Sequence, residues 1–336
     1  MTRVYIIAEA GVNHNGSVDL ALQLVDVAKD SGADAVKFQT FRANRIATRS
    51  AAKAHYQERQ TGNAESHFEM LQRLELNAGA HRQLIDRCRQ IKLDFLSSPF
   101  DQESVDLLDG LGISQFKVPS GEVTNLPLLR HVARKGRPVI LSTGMATLGE
   151  VEEAVLTLRG EGTSPITLLH CVTEYPAPYG EINLRAMQTL RAAFSLPVGY
   201  SDHTKGIEIA IAAVAMGAEV IEKHFTLDRS LPGPDHAASL EPGELKQMVA
   251  SIRNVESALG NGIKAPAPCE LPNILVARKS VVAARTLPVG HQLRAGDLSI
   301  KRPGTGISPK FLETLIGHTL RSGVEEDEVI HWGHLT

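Results

Sequence analysis

Eight short β-branched runs recur along the first 260 residues, and an amphipathic stretch follows each of them. The strand candidates are Val4–Ala10, Ala33–Thr40, Asp94–Phe100, Gln115–Ser120, Pro138–Thr143, Ile166–Val172, Pro197–His203 and Glu219–Thr226. The helical stretches are Val18–Asp30, Ala80–Ile91, Glu103–Leu111, Leu126–Lys135, Leu148–Arg159, Leu184–Ala193, Gly206–Met216 and Pro242–Leu259. In the first of these, Leu20, Leu24, Val27 and Ala28 share one helical face. Eight strand-then-helix units at this spacing predict a (β/α)8 barrel over residues 1–260. An open doubly wound sheet is the competitor, but no GxGxxG opens a helix, and Gly206-Ile-Glu-Ile-Ala lacks the glycines.

Two intervals break the rhythm. Between Thr40 and Ala78 lies a long, charge-rich segment that includes Lys53, His55, Tyr56, Glu58, Arg59 and Glu69. Such a length is expected either to carry short elements of its own and form a partial lid over the second strand, or to be a solvated excursion. Residues 261–275 hold Pro266, Pro268 and Pro272 and read as a stiff, extended linker. Residues 276–336 hold short strands cut by Pro and Gly, as in Ser280-Val-Val-Ala-Ala, Leu287-Pro-Val-Gly-His-Gln-Leu and Asp297-Leu-Ser-Ile-Lys. That predicts a small β-rich domain, near the lower size limit for folding alone.

The 336 residues carry 35 Lys and Arg against 38 Asp and Glu, a net charge of −3. No global basic field exists to hold a nucleic acid, so an anion site must be local. Three scattered cysteines, Cys88, Cys171 and Cys269, give neither a disulfide framework nor a four-cysteine zinc site. No apolar run reaches the ~18 residues of a membrane span. A cytoplasmic protein is expected.

The chemistry gathers at one end of every strand. The runs end in Glu9, in Lys37-Phe-Gln39, in Ser97-Ser98, in Lys117-Val-Pro-Ser120, in Ser142-Thr-Gly144, in His170-Cys171, in Ser201-Asp-His203 and in Glu222-Lys-His224. Burying one unpaired polar group costs several kcal/mol, so eight coincident placements predict a site at this face. Residues i and i+2 on a strand face the same way, so Lys37 pairs with Gln39, Ser201 with His203, and Glu222 with His224. Lys37, Lys117 and the hydroxyls of Ser97, Ser98, Ser120, Ser142 and Ser201 suit a phosphate-bearing substrate. His203 and His224 end adjacent strands and could share a divalent cation of the Mn, Fe, Co or Zn kind; the alternative is two structural histidines among 13.

These motifs, in order, resemble one family. Ile7-Ala-Glu-Ala-Gly-Val-Asn-His-Asn-Gly16, Val36-Lys-Phe-Gln-Thr40, Phe116-Lys-Val-Pro-Ser-Gly-Glu122 and Ile140-Leu-Ser-Thr-Gly-Met145 come first. His170-Cys-Val-Thr-Glu-Tyr-Pro176, Gly199-Tyr-Ser-Asp-His203, Ile221-Glu-Lys-His-Phe-Thr226 and Gly233-Pro-Asp-His-Ala-Ala-Ser-Leu-Glu241 follow. The chain resembles the sialic acid synthases and their legionaminic and pseudaminic acid relatives. Lys301-Arg-Pro-Gly-Thr-Gly-Ile-Ser-Pro309 looks like their antifreeze-like (SAF) domain. The expected architecture is thus an α/β TIM barrel followed by a small β-rich SAF domain.

The resemblance implies condensation of phosphoenolpyruvate with an N-acylated hexosamine to give a nine-carbon 2-keto sugar acid and phosphate. It implies Lys37, Lys117, Ser120, Ser142 and Ser201 for phosphoenolpyruvate. It implies His203 and His224 for Mn2+, with Mg2+ or Co2+ as substitutes. Glu9 and Glu122 are the implied catalytic carboxylates, and Gln39, Tyr175 and Asp235 hold the sugar. A domain-swapped homodimer is implied, with Arg302 reaching the partner's site. Some neuraminate synthases carry Asn-Ile-Tyr where this chain has Thr173-Glu174-Tyr175. The Thr-Glu-Tyr-Pro-Ala-Pro string looks more like the legionaminate branch, which favours 2,4-diacetamido-2,4,6-trideoxymannose over N-acetylmannosamine. Two other classes stay open: a metal-dependent barrel hydrolase, which would need a fuller ligand set, and a non-catalytic carbohydrate-binding protein. A relative using a sugar phosphate would need a second basic cluster, for which Lys53 and Arg59 are the candidates.

Overall fold

The computed structural model describes residues 3–62, 64–163 and 165–336. The chain divides into two compact units, Met1–Gly260 and Asn261–Thr336. In the first, eight strands run parallel: β1 (Tyr5–Gly11), β2 (Ala35–Thr40), β3 (Asp94–Pro99), β4 (Phe116–Val118), β5 (Val139–Ser142), β6 (Ile166–Cys171), β7 (Val198–Asp202) and β8 (Val220–His224). They hydrogen-bond in the order β3-β2-β1-β8-β7-β6-β5-β4, and β3 lies against β4, so the row curls into a barrel. The outer layer comprises α1 (Val18–Asp30), then α2 (Ala43–Ile46), α3 (His55–Thr61) and α4 (His67–Leu74) in the long segment. It continues with α5 (Ala78–Ile91), α6 (Gln102–Gly110), α7 (Leu126–Ala133), α8 (Leu148–Gly160), α9 (Ala186–Phe194), α10 (Glu208–Ala215) and α11 (Pro242–Leu259). No helix among the described residues is long and apolar enough to cross a membrane.

Parity along the strands explains where the core stops and the site begins. Ile7, Ala35, Leu96, Ile140, Leu169 and Val220 form an apolar cluster of their own, one residue from each of six strands. They plug the lumen. Two residues further along those same strands stand Glu9, Lys37, Ser98, Ser142, Cys171 and Glu222, on the same face and nearer the C-terminal ends. Gly199 contributes to the plug by having no side chain: a Cβ there would lie 2.3 Å from the Val220 carbonyl oxygen. The larger core lies between strands and helices, where Phe38, Phe116, Leu24, Leu84 and Ile252 are fully buried. Side-chain N-caps start several of the barrel helices: Ser17, Asn77, Asp101, Asn125 and Thr147 each accept a backbone N–H of the following helix.

The long segment carries three short helices. Phe41, Met70 and Leu74 pack with Val12 into a satellite core beside the barrel mouth. Beyond Gly260 the structure departs from the extended linker expected over residues 261–275. A 3-10 turn spans Pro268–Glu270 and α12 runs from Leu271 to Ala277. Pro268 and Pro272 sit in the first turns of these elements, where a missing N–H costs nothing, so proline content there signals a helix start. The second unit then pairs β9 (Ser280–Ala283) with β10 (Leu298–Lys301), antiparallel, over a core of Val281, Leu287, Leu293, Ile307, Leu315 and Ile330. The run Leu287–Leu293, expected as a strand, makes only single bridges, Leu287 to Val324 and Gln292 to Thr319. Pro288 lacks a donor and Gly290 has φ +80°, so a continuous ladder cannot form. The one-turn α13 (Leu312–Leu315) completes the unit.

Candidate active site

The C-terminal ends of the barrel strands surround a cavity of about 330 Å³, within the range that takes a small-molecule ligand. Its polar wall comes from the strands: Glu9, Lys37, Gln39, Ser98, Lys117, Ser142, Cys171, Ser201, Glu222 and His224, with Ser120, Thr173, Tyr175 and His203 just beyond. Its other wall comes from the long segment: Phe41, Ile46, Tyr56, Gln57, His67 and Leu71. That segment therefore covers the mouth. The Tyr56 ring lies 4.9 Å from that of Tyr175, and Arg59 donates to Glu174 at 3.0 Å.

At the floor, two ammoniums and two carboxylates are packed together with almost no exposure. Lys37 Nζ is 2.7 Å from Glu9 Oε2 and 3.8 Å from Glu222 Oε2. Lys117 Nζ is 3.2 Å from Glu222 Oε1. Lys37 also donates to Ser98 Oγ, and Ser201 Oγ donates to Glu222. The environment splits the carboxylates. Burial pushes Glu9 up, beyond what Lys37 draws down. Glu222 suffers the same burial, but Lys117 and Lys37 outweigh it and hold the carboxyl below its ordinary value. Burial lowers Lys117, whereas at Lys37 Glu222 and Glu9 overcome burial and raise it. A pair of carboxyls driven apart in this way offers one acid and one base at the same place. The Ser142 hydroxyl faces the cavity with no protein partner, and Gly144 N donates to Ser120 Oγ.

The two histidines meet. Their ring centroids are 5.5 Å apart. His203 Nδ1 donates to the Val172 carbonyl at 2.6 Å, which makes Nε2 the nitrogen that carries the lone pair, 3.4 Å from Ser201 Oγ. His224 Nδ1 is buried without a hydrogen-bond partner. Burial depresses both, His203 to about 4 and His224 well below its ordinary value. Neutral imidazoles with an oriented lone pair, one backed by a carbonyl, are the form that ligates metal, so these residues fit a divalent cation. Asp235 Oδ2 stands 4.0 Å from His224 Nδ1. Among the described residues no group of three or more His, Cys, Asp or Glu is gathered as a ligand set.

Of the residues singled out in the sequence, Glu9, Lys37, Lys117, Ser120, Ser142, Ser201, Gln39, Tyr175, His203 and His224 line this one cavity. Asp235 is buried beside His224. Glu122 is not brought in. It closes a 3-10 turn at Ser120–Glu122, half-buried, and accepts from Asn125 Nδ2 at 2.7 Å. Arg302 belongs to the second unit, where its Nε donates to the Ala277 carbonyl. Glu222 had been given no role, although its parity with His224 already turned it inward. Cys171, at the end of its strand, shares a face with Leu169 of the plug, whereas Thr173 and the apolar wall from Phe41 to Leu71 had no sequence signal of this kind.

A parallel barrel with a buried lysine–carboxylate floor and two metal-competent imidazoles at its C-terminal rim has the build of an enzyme acting on a small anionic substrate. Similarity to known proteins narrows the class. Residues 24–264 match the NeuB family and residues 278–336 match the SAF domain. The chain is 53% identical to an N,N'-diacetyllegionaminic acid synthase of Campylobacter jejuni, over 98% of this chain and 99% of that protein. It is 48% identical to the protein of the same name in Legionella pneumophila, over 98% and 94%. The crystal structure of an N-acetylneuraminic acid (sialic acid) synthetase from Leptospira borgpetersenii superposes with a TM-score of 0.71 at 37% identity, covering 81% of this chain and 90% of that one. The chain belongs to the NeuB family.

Proposed function

We propose that this enzyme condenses phosphoenolpyruvate with the open-chain aldehyde of an N-acylated hexosamine, giving a nine-carbon 2-keto sugar acid and inorganic phosphate. The observation that carries this reading is the buried quartet of Lys37, Lys117, Glu9 and Glu222 directly under the His203–His224 pair. A phosphorylated enol acid is an anion that can take over both ammoniums from the carboxylates. The favoured acceptor is 2,4-diacetamido-2,4,6-trideoxymannose, with N-acetylmannosamine the second. The 53% identity to an N,N'-diacetyllegionaminic acid synthase supports that order.

In this mechanism Lys37 and Lys117 hold the phosphate and carboxylate of phosphoenolpyruvate. The hydroxyls of Ser120, Ser142 and Ser201 add directed donors. C3 of the enol forms a bond to the aldehyde carbon, and the aldehyde oxygen takes a proton. Water then adds at C2, and the bond from C2 to the phosphate oxygen breaks. Glu9, kept protonated by burial, serves as the acid for the developing alkoxide. Glu222 regains basicity once the substrate anion has drawn the lysines from it, and takes the proton of the water. Gln39, Tyr175 and Asp235 orient the acceptor. A divalent ion held by His203 and His224, Mn2+ first with Mg2+ or Co2+ as alternatives, would polarise the aldehyde carbonyl. A homodimer in which Arg302 serves the partner's site belongs to the same reading, since its guanidinium is exposed on the small domain and, with Nε held by the Ala277 carbonyl, can still offer its terminal nitrogens to an acyl group.

The test is coupled phosphate release across a panel of N-acyl hexosamines, with mass spectrometry of the product. The expected result is phosphate in step with a product heavier than the acceptor by one pyruvate unit. No phosphate with any acceptor, phosphoenolpyruvate and divalent cation being present, overturns the proposal.

A further inference from the structure

His203 follows the last residue of β7 and His224 is the last of β8, where these two strands no longer pair with each other. The last paired residues between β7 and β8 are Asp202 and Lys223, each one residue before a histidine. Parity turns both side chains away from the cavity, and both side chains are completely buried, 0% exposed. Lys223 Nζ lies 2.8 Å from Asp202 Oδ2 and donates to the Thr204 carbonyl at 2.5 Å. Asp202 Oδ1 accepts from Thr204 N at 2.9 Å and from Thr204 Oγ1 at 2.8 Å. Residues 202 and 204 are thereby tied to one ammonium. His203 is the apex between them, and the ammonium belongs to the neighbour of His224.

We propose that Lys223 and Asp202 are positioning residues that set the separation of His203 and His224 for a shared divalent cation, which rests on the reading of those histidines as ligands. Desolvating the two charges offsets most of their attraction, so an apolar pair of similar volume could fill the layer, but it would take Asp202 Oδ1 from the Thr204 N–H and hydroxyl and from the Tyr200 hydroxyl. Such a pair could not grip the Thr204 carbonyl. The ion pair supplies direction, and direction is what a metal site requires when no third ligating side chain is gathered with the two histidines among the described residues. Partners behind metal ligands commonly carry about 10–100-fold of metal affinity.

The test is Mn2+ titration of the metal-free, full-length protein, without substrates, read by the electron paramagnetic resonance signal of free Mn2+. Lys223→Met strands Asp202 and reports folding as much as position. The informative variant is therefore Asp202→Leu with Lys223→Met, which removes both charges together. It should stay folded, bind inorganic phosphate as the wild type does, and hold Mn2+ at least about tenfold more weakly. A folded double variant with wild-type Mn2+ affinity overturns the proposal. Should that variant not fold, Thr204→Val, which loses only the hydroxyl on Asp202 Oδ1, carries the same test: weaker Mn2+ at an unchanged phosphate shift supports the clamp, and unchanged Mn2+ refutes it. Wild-type protein whose Mn2+ binding survives His224→Ala also overturns it. Absence of phosphate release with every acceptor would sink the proposed reaction while the Mn2+ titration still decided the clamp.

Discussion

Glu222→Gln tests the charge balance at the barrel floor. The change keeps the side-chain volume and an acceptor for Ser201, but removes the negative charge 3.2 Å from Lys117 Nζ. Lys37 keeps Glu9 at 2.7 Å. Lys117 keeps no carboxylate within ion-pair distance among the described residues. Both side chains of the broken pair are at most 4% exposed, so solvent screens little of the effect. Stranding one member of a buried pair costs about 3–5 kcal/mol. For a barrel of this size that is a fall in Tm of roughly 6–20 °C. Deprotonation of Lys117, already favoured by burial, limits the loss. The folded state then binds fewer protons than the unfolded chain, so the deficit shrinks as pH rises from neutrality towards the ordinary lysine pKa of about 10.4. An anion repairs the variant: phosphate no longer competes with Glu222, so a given concentration should raise Tm more than in the wild type. A saturating 100-fold excess over Kd contributes about 2.7 kcal/mol. Turnover should drop about 10²–10⁴-fold with loss of the base. Differential scanning fluorimetry with a phosphate titration reads both effects. A variant with wild-type Tm and an unaltered phosphate shift would refute the electrostatic account of the floor.

Chelation should abolish phosphate release while leaving the phosphate thermal shift intact, and Mn2+ should restore activity; enzyme fully active after exhaustive chelation would exclude metal assistance. In the second unit, Asp297 accepts from His291, Arg285 and the Arg294 N–H, and these donors, His291 first, hold its carboxyl well below the ordinary range. That stabilisation is present above the ordinary Asp pKa of about 3.9 and is lost as pH falls beneath it. Hydrogen exchange of residues 280–330 in the full chain should therefore accelerate below about pH 4, and Asp297→Asn should show the fast pattern already at pH 6; equal protection in the variant counts against it. Finally, Arg302→Ala and Lys37→Ala chains, each inactive alone, should regain phosphate release when co-expressed, because one mixed site keeps both residues; no recovery in a proven mixed dimer would place Arg302 in its own chain's site.

How much of this was legible in the sequence follows from period and length. The strands keep a strict alternation, so parity located the lumen, and all eight segments expected as strands fall on observed ones. Val18–Asp30 and Pro242–Leu259 match helices end to end, because Ser17 and a capping box at Glu241 fix their starts. Glu122 illustrates the failure. Alternation holds only while the chain is extended, and β4 ends at Val118, so the 3-10 turn after Pro119 rotates Glu122 out of the expected register. Glu222 is the converse: it lies inside a regular strand and shares a face with His224, so parity turned it into the lumen although the sequence reading assigned it no role. The lid was visible only as a length. Ile46, Tyr56 and Leu71 reach the cavity from three separate short helices, and no single period connects them.

The same geometry explains how a barrel can keep four ionised or ionisable groups in its interior. Isolated, each would be expelled or neutralised. Here Lys37 and Lys117 share Glu222, Glu9 is pushed towards its neutral form, and the apolar plug of Ile7, Leu96, Ile140 and Leu169 seals the floor beneath. In the proposed mechanism these carboxylates are internal counter-ions at the place where the substrate's anionic groups go. Binding exchanges a protein carboxylate for a substrate phosphate, so the lysines need not be desolvated at that moment. In that mechanism Glu222 becomes a base only after the donor has arrived. On the proposed mechanism, activation of water is thereby coupled to binding of the donor.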